Sequence, residues 1–272
     1  MLVRATLISL CALALTGCST SPTGRNQLML VSPSQAINAS AAAYTEILSP
    51  LKQEGKLDSN PAQVKRVQEI AGRIVYQAIT AFPESQNWDW SIRLIDDPES
   101  VNAWCMAGGR MAIYTGLLEK LNPTDDELAQ VIGHEVSHAL ANHTAERMSV
   151  AMATQLGVMA IGVATQDTQY QQLALSGAPL AAALAIRLPN SRTGESEADR
   201  MGMELAARAG YDPAAAATLW QKMGQLNKRS PPEFLSTHPS PGNRQQTLAR
   251  LATQMAIYYR PNQPAPVYQF KP

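Results

Sequence analysis

The stretch Val131-Ile132-Gly133-His134-Glu135-Val136-Ser137-His138 holds two histidines four positions apart, with a glutamate directly after the first. On an α-helix each residue advances about 100°, so His134 and His138 stand roughly 40° apart around the axis and one turn along it. Both imidazoles then reach one ion, and Glu135 lies beside them. Zinc in such a place acidifies a water, and a neighbouring carboxylate takes the proton as the oxygen attacks a carbonyl. The spacing therefore encodes hydrolytic metal chemistry, provided a helix forms.

Local signals call for that helix. Thr124 is a suitable N-cap with Glu127 three positions on, Asp125 and Asp126 suit the positive end, and Leu128, Val131, Ile132 and Leu140 supply an apolar face. A pattern with two free positions also recurs by chance on ordinary amphipathic helices. Composition argues against chance, because the chain has only four histidines and three of them, His134, His138 and His143, fall within ten positions.

A catalytic zinc takes a third protein ligand and keeps one position open. His143 follows His134 by nine residues, about half a turn out of phase, so an unbroken helix turns it away. Ala139-Leu140-Ala141-Asn142 offers no glycine to break that helix, and His143 is assigned to helix packing or to supporting a ligand from behind. Downstream, Arg192-Thr193-Gly194-Glu195-Ser196-Glu197-Ala198-Asp199-Arg200 opens a predicted helix running to about Arg208 and stopping at Gly210. Glu195 and Asp199 share a face, so one of them binds the metal while the other hydrogen-bonds a ligand histidine. Glu197 points roughly 200° away.

His134-Glu135-x-x-His138, His143 five further on, and Glu195-x-Glu197-Ala198-Asp199 together resemble the superfamily of zinc metallopeptidases that includes HtpX, the CAAX prenyl protease, and the periplasmic lipoprotein proteases LoiP and BepA. The resemblance implies His134, His138 and Glu195 as ligands of one Zn2+ per chain and Glu135 as general base. It implies Asp199 as the carboxylate that orients a ligand histidine. Thr237-His238-Pro239 with Arg244 six positions later resembles the element that brings a further histidine to such sites. His238 would then stabilise the oxyanion or occupy the open zinc position until substrate displaces it.

Val101-Asn102-Ala103-Trp104-Cys105-Met106-Ala107-Gly108-Gly109-Arg110-Met111-Ala112-Ile113-Tyr114 reads as a hairpin, two short apolar runs around a glycine pair. In peptidases of this kind such a strand borders the cleft, and its free edge pairs with an extended peptide through main-chain groups. Asn102, Gly108 and Gly109 are therefore candidates to touch substrate backbone, alongside a plain structural role for each.

Met1 to Cys18 reads as a targeting segment, with Arg4 as its positive start, an apolar stretch from Ala5 to Leu15, and Leu15-Thr16-Gly17-Cys18 at its end. That tetrapeptide resembles a bacterial lipoprotein box. Residues 1–17 would be removed as a signal peptide and Cys18 acylated, and 18–33, rich in Ser, Thr, Pro and Gly, would form a lipidated tether. Ser19 resembles the signal for passage to an outer membrane. Cys11 would leave with the leader, so Cys105 remains as a single thiol, buried in an apolar strand rather than nucleophilic.

The catalytic domain is placed at 34–258, with an irregular, proline-rich tail at 259–272. Helices are expected over 34–51, 61–81, from Asp212-Pro213 through Leu226, and from Pro241 to Met255, and a strand over 88–94. The fold class is α+β and mostly helical: a gluzincin-like zinc peptidase domain with a small β-sheet beside the His-Glu-x-x-His helix. Met148 to Ala164 and Leu173 to Leu188 are apolar and span the membrane in HtpX-like relatives. Here they are interrupted by Gln155 and by Ser176, Gly177 and Pro179, so helices packed over the site or a membrane-facing hairpin are expected instead of spans.

Balanced charge, 22 basic against 22 acidic residues, gives no case for nucleic acid as partner. The function expected from the resemblance is that of a lipid-anchored endopeptidase of the bacterial envelope, in the outer membrane and facing the periplasm. Its substrates would be unfolded or misassembled envelope polypeptides, with outer-membrane assembly machinery as a partner. The alternative is an assembly or chaperone-like factor with latent proteolysis.

Overall fold

The computed structural model describes residues 18–165, 190–226, 233–238, 243–261 and 265–271. The expected signal peptide and the apolar run Leu173 to Leu188 lie outside them. The chain divides into two compact bodies, Met1–Ala39 with Asn142–Leu188, and Ser40–Ala141 with Pro189–Pro272.

In the first body, β1 (Cys18–Thr20) and β2 (Asn26–Leu28) pair antiparallel, with Ser19 opposite Gln27. The stretch read from composition as a tether thus begins as a hairpin, closed by Ser21, whose carbonyl accepts the Gly24 N–H. Helix α5 (His143–Thr165) holds it there. Arg25 donates two hydrogen bonds to Glu146, at 2.6 and 2.7 Å, Gln27 donates a third, and the Val31 N–H is accepted by the Ser149 hydroxyl. Among the described residues no helix is long and apolar enough to cross a membrane.

The second body is built on a three-stranded sheet of order β3 (Ser91–Ile95), β5 (Arg110–Tyr114), β4 (Ala103–Met106). β4 and β5 form the expected hairpin, with Gly108 and Gly109 at φ +86° and +84° in its turn. A side chain at Gly109 would also collide with Trp90, 2.5 Å from where its Cβ would sit. β3 runs parallel to β5, a long-range pairing. One face of the sheet packs on α1 (Pro33–Gln53), where Leu48 meets Ile95 and Ala112, and Tyr44 meets the Trp104 ring edge-on. The interior apolar residues of the sheet share a core with α2 (Pro61–Ala81) and with the helix of the two histidines.

Helix α2 has the bounds its apolar period calls for, with Asn60 accepting the Gln63 N–H and Pro61 opening the first turn. It buries Val67, Ile70, Ala71, Ile74, Val75 and Ala78. The tail has no regular structure over 265–271, but Tyr268 N–H bonds the Gly72 carbonyl. The short helix α3 (Thr115–Leu121) leads to α4 (Asp125–Leu140), capped by the reciprocal Thr124–Glu127 box. Every residue of α4 from Glu127 to Leu140 is buried, and each large apolar side chain there contributes about 1.5–3 kcal/mol. Glu127 also receives Lys222 at 2.6 Å and the Thr218 hydroxyl, both on α7 (Ala215–Gln225), which locks the start of α4 to that helix.

Helix α6 (Arg192–Arg208), capped by Ser191 and stopped at Gly210, packs on α4 with no side chain between them at one point. A Cβ on Gly133 would lie 2.5 Å from the Gly202 carbonyl, and one on Gly202 would lie 2.5 Å from the His134 nitrogen. Two helical turns therefore meet backbone to backbone. The short helix α8 (Glu233–Thr237) and helix α9 (Arg244–Met255) complete the body. The last helix was expected from Pro241, which lies outside the described residues, and regular structure is seen from Arg244. Helix α7 starts at Ala215 rather than at Pro213, because Asp212 spends its carboxylate on the Ala214 N–H in a turn just before it.

Gly202→Val is expected to force α4 and α6 apart, destabilising the fold by about 1–3 kcal/mol as an overpacked contact and weakening metal binding with it; urea unfolding and metal titration read both. Glu127 carries a second prediction. Burial acts to raise its pKa, but Lys222, the Thr124 N–H and the Thr218 hydroxyl outweigh it and hold it below the usual 4.5. Its stabilisation is thus present above that value and lost as pH falls through the lowered one. The stability gap between wild type and Glu127→Gln should be about 1–2 kcal/mol at neutral pH and close as pH falls below 4.5 through the lowered value.

Candidate active site

Helix α4 presents His134, Glu135 and His138 from one buried turn, and the first turn of α6 presents Glu195 opposite. His134 Nε2 and His138 Nε2 are 3.0 Å apart. Glu195 Oε2 lies 3.4 Å from His134 Nε2, and Oε1 lies 3.3 Å from His138 Nε2. His238, just after α8, places Nδ1 3.2 Å from His134 Nε2 and 3.0 Å from Glu195 Oε1. One ligand atom from each of these four residues lies within 4.8 Å of all the others. Donors held 2.0–2.1 Å from a common ion in a tetrahedron stand about 3.3 Å apart, so the measured separations are of the size that a small cation requires.

Charge points the same way. Glu135 and Glu195 are buried and Asp199 is partly so, and Arg244 is the cationic neighbour of the last two: Nη1 is 3.2 Å from Glu195 and Nη2 is 2.5 Å from Asp199. Carboxylates outnumber the arginine here, and burying unbalanced charge costs several kcal/mol unless a cation or a proton on an imidazole offsets it. Burial acts to lower the His134 pKa, yet Glu195 and Asp199 overcome it and raise the value to about 10. The residues present fit a divalent cation with imidazole and carboxylate donors.

Asp199 Oδ1 stands 3.0 Å from His134 Nδ1, the nitrogen turned away from the cluster. That pairing favours the tautomer with Nε2 as the lone-pair donor. Glu135 is buried at 4% exposure, with Oε1 3.4 Å from His238 Nε2. The His238 ring stacks on Phe234 at 4.4 Å, and Asn190 ties the loop to α6 by donating its N–H to the Thr237 carbonyl.

His143 is not in this cluster. The expected unbroken helix is corrected here: α4 ends at Leu140, Asn142 takes φ +56°, and α5 begins at His143. Asparagine enters the left-handed region more readily than most residues, so the break needs no glycine. Cys105 is buried; burial first, and the Glu135 charge second, push its thiol well above the ordinary range. It is no nucleophile.

β4 is an edge strand of the sheet and packs against α4. Asn102 precedes it, with its side-chain oxygen accepting the Ala103 N–H and its carbonyl accepting the Tyr114 N–H. Val101 accepts the Phe234 N–H, so the approach to the strand is tied to the segment that carries His238. Sequence reasoning missed Asn190, Trp220 and the Gly133–Gly202 contact, none of which has a spacing signature.

Residues 56–252 match peptidase family M48. The chain belongs to that family. Among its relatives, the M48 chain is 32% identical over 240 residues to "Metalloendopeptidase OMA1, mitochondrial" of Bos taurus, covering 85% of this chain and 45% of that protein. It is 38% identical over 161 residues to the Arabidopsis thaliana "Mitochondrial metalloendopeptidase OMA1", covering 59% and 31%. It is 29% identical over 212 residues to the "Beta-barrel assembly-enhancing protease" of Escherichia coli K12, covering 75% and 42%. The chain thus spans less than half the length of each of these relatives.

Stripping divalent metal with a chelator is expected to lower the thermal midpoint, and re-addition to restore it. At a metal concentration 100 times Kd, mass action alone contributes about 2.7 kcal/mol. His138→Ala should lose the response; a wild-type midpoint indifferent to chelator would mean that the cluster holds itself together without a cation.

Proposed function

We propose that this M48 chain is a zinc metalloendopeptidase of the bacterial cell envelope, with one Zn2+ held by His134, His138 and Glu195. The observation that carries the reading is the cluster itself: two imidazoles and a carboxylate from two helices, converging at about 3 Å with Glu135 alongside. Bound there, zinc would polarise a scissile carbonyl and acidify a water.

Glu135 takes the proton from the attacking water and returns it to the leaving amine, a general base and then a general acid within one turnover. Asp199 keeps His134 in the donor tautomer. The β4 edge, with Asn102, Gly108 and Gly109 near its ends, receives the substrate as an added extended strand, which asks for main-chain groups rather than a particular side chain. Unfolded polypeptide meets that requirement and a packed domain does not. Misfolded or misassembled envelope proteins are therefore the substrate class.

The envelope assignment rests on Leu15-Thr16-Gly17-Cys18 and the leader before it, with residues 1–17 removed, Cys18 acylated at the head of the 18–33 segment, and 34–258 forming the peptidase domain. Several acyl chains would anchor it, since each buried methylene adds about 0.8 kcal/mol. The relative named a beta-barrel assembly-enhancing protease favours outer-membrane assembly machinery as a partner. Mitochondrial OMA1 relatives show that the family also works in another compartment. Cys18→Ser should release the protein from membranes into the soluble fraction.

The position of His238 favours a second reading, that of a client-binding assembly factor in which proteolysis is latent. Its Nδ1 stands among the three proposed ligands, where it would restrain the site until substrate moves it. Casein or unfolded envelope protein is expected to be cleaved by wild type. Glu135→Gln should lose at least about 100-fold in kcat while still binding metal. His238→Ala should raise basal turnover. Client binding with no zinc-dependent cleavage by any of the three would leave the assembly factor as the function.

A further inference from the structure

Arg244 opens helix α9, where the helix dipole disfavours a cation, and its side chain is 4% exposed, where desolvation disfavours any charge. Something must offset both. Its guanidinium lies over the Trp220 ring at 4.0 Å, so α7 supplies a flat apolar seat for the planar group. From that seat Nη1 reaches Glu195 Oε2 at 3.2 Å and the His238 carbonyl at 3.5 Å, and Nη2 reaches Asp199 Oδ1 at 2.5 Å. The two carboxylates lie four positions apart on α6, and each has an oxygen on a different imidazole: Glu195 Oε1 faces His138 and Asp199 Oδ1 faces His134 Nδ1.

We propose that Arg244, seated on Trp220, is the positioning residue of the metal centre, turning Glu195 towards the cation and Asp199 towards His134 by gripping both at once. Asp199 Oδ1 accepts from Nη2 and faces His134 Nδ1 at the same time, so the guanidinium fixes the torsion that brings that oxygen to the ring. Only arginine offers several donors in a rigid fork; lysine carries the charge but cannot hold two carboxylates in a plane or lie flat on the indole. The inference rests on the metal-centre reading above, not on which substrate the centre cleaves.

Plain charge neutralisation makes the opposite prediction. Removing a cation near a divalent ion relieves repulsion and should tighten metal binding. Loss of orientation should weaken it, by about 10- to 100-fold as is usual for groups that orient metal ligands. The test is zinc affinity by chelator competition for wild type, Arg244→Met, Arg244→Lys and Trp220→Leu, with kcat and KM on casein beside it. Arg244→Met is expected to bind zinc about 10- to 100-fold more weakly, with kcat falling and KM little changed. Arg244→Lys should recover only part of the affinity, and Trp220→Leu, which keeps the cation, should fall between them. If Arg244→Met does not fold, Arg244→Lys and Trp220→Leu carry the comparison. Affinity equal to or tighter than wild type in Arg244→Met, or full recovery in Arg244→Lys together with no effect of Trp220→Leu, overturns the proposal. A wild type that binds zinc tightly and cleaves nothing would fault the peptidase reading and leave this one standing.

Discussion

At a pair of glycines, two helices of the peptidase body meet backbone to backbone. Gly133 and Gly202 leave no side chain between α4 and α6, and the turns that carry the chemistry flank this contact: His134 follows Gly133 directly, and Asp199 precedes Gly202 by three. A carboxylate on one helix reaches an imidazole on another only if the axes stand very close. Glu195 and Asp199 have short reach, so the backbone contact sets the scale of the whole site. The apolar burial of α4 and the Lys222–Glu127 bond then hold that helix against the rest of the body.

Once the helices are that close, electrostatics sets what must occupy the gap. Buried Glu135, Glu195 and Arg244, with the partly exposed Asp199, gather more carboxylates than cationic side chains. Assembling such a set costs stability, which a bound cation would offset. A cation bound there would link the chemistry of this body to the completeness of its fold.

Local chemistry was legible in the sequence wherever the cause was local. The Thr124–Glu127 box, the glycine pair of the β4–β5 turn, the end of α6 at Gly210 and the start of α2 at Pro61 each have their cause within a few residues. The gathering of His134, His138, Glu195, Asp199 and His238 was legible only through helical phase and family resemblance, because no local rule brings residue 195 to residue 134. The parallel pairing of β3 with β5, the glycine contact and the guanidinium stacked on Trp220 are long-range, and their residue types look ordinary in isolation. Asn142 misled the reading in another way, by taking a backbone conformation usually assigned to glycine.

The two halves of the cluster, His138 and Glu195, are 57 positions apart in the chain, and most of the intervening segment belongs to the other body. Loop-closure entropy grows only with the logarithm of length, so doubling that segment would cost about 0.6 kcal/mol. Because α4 and α6 recognise each other by direct contact, their meeting does not depend on a short connection between them. The donors of the cluster thus come from two helices whose mutual fit is carried by their own surfaces, and the length of chain that joins them is a minor quantity in comparison.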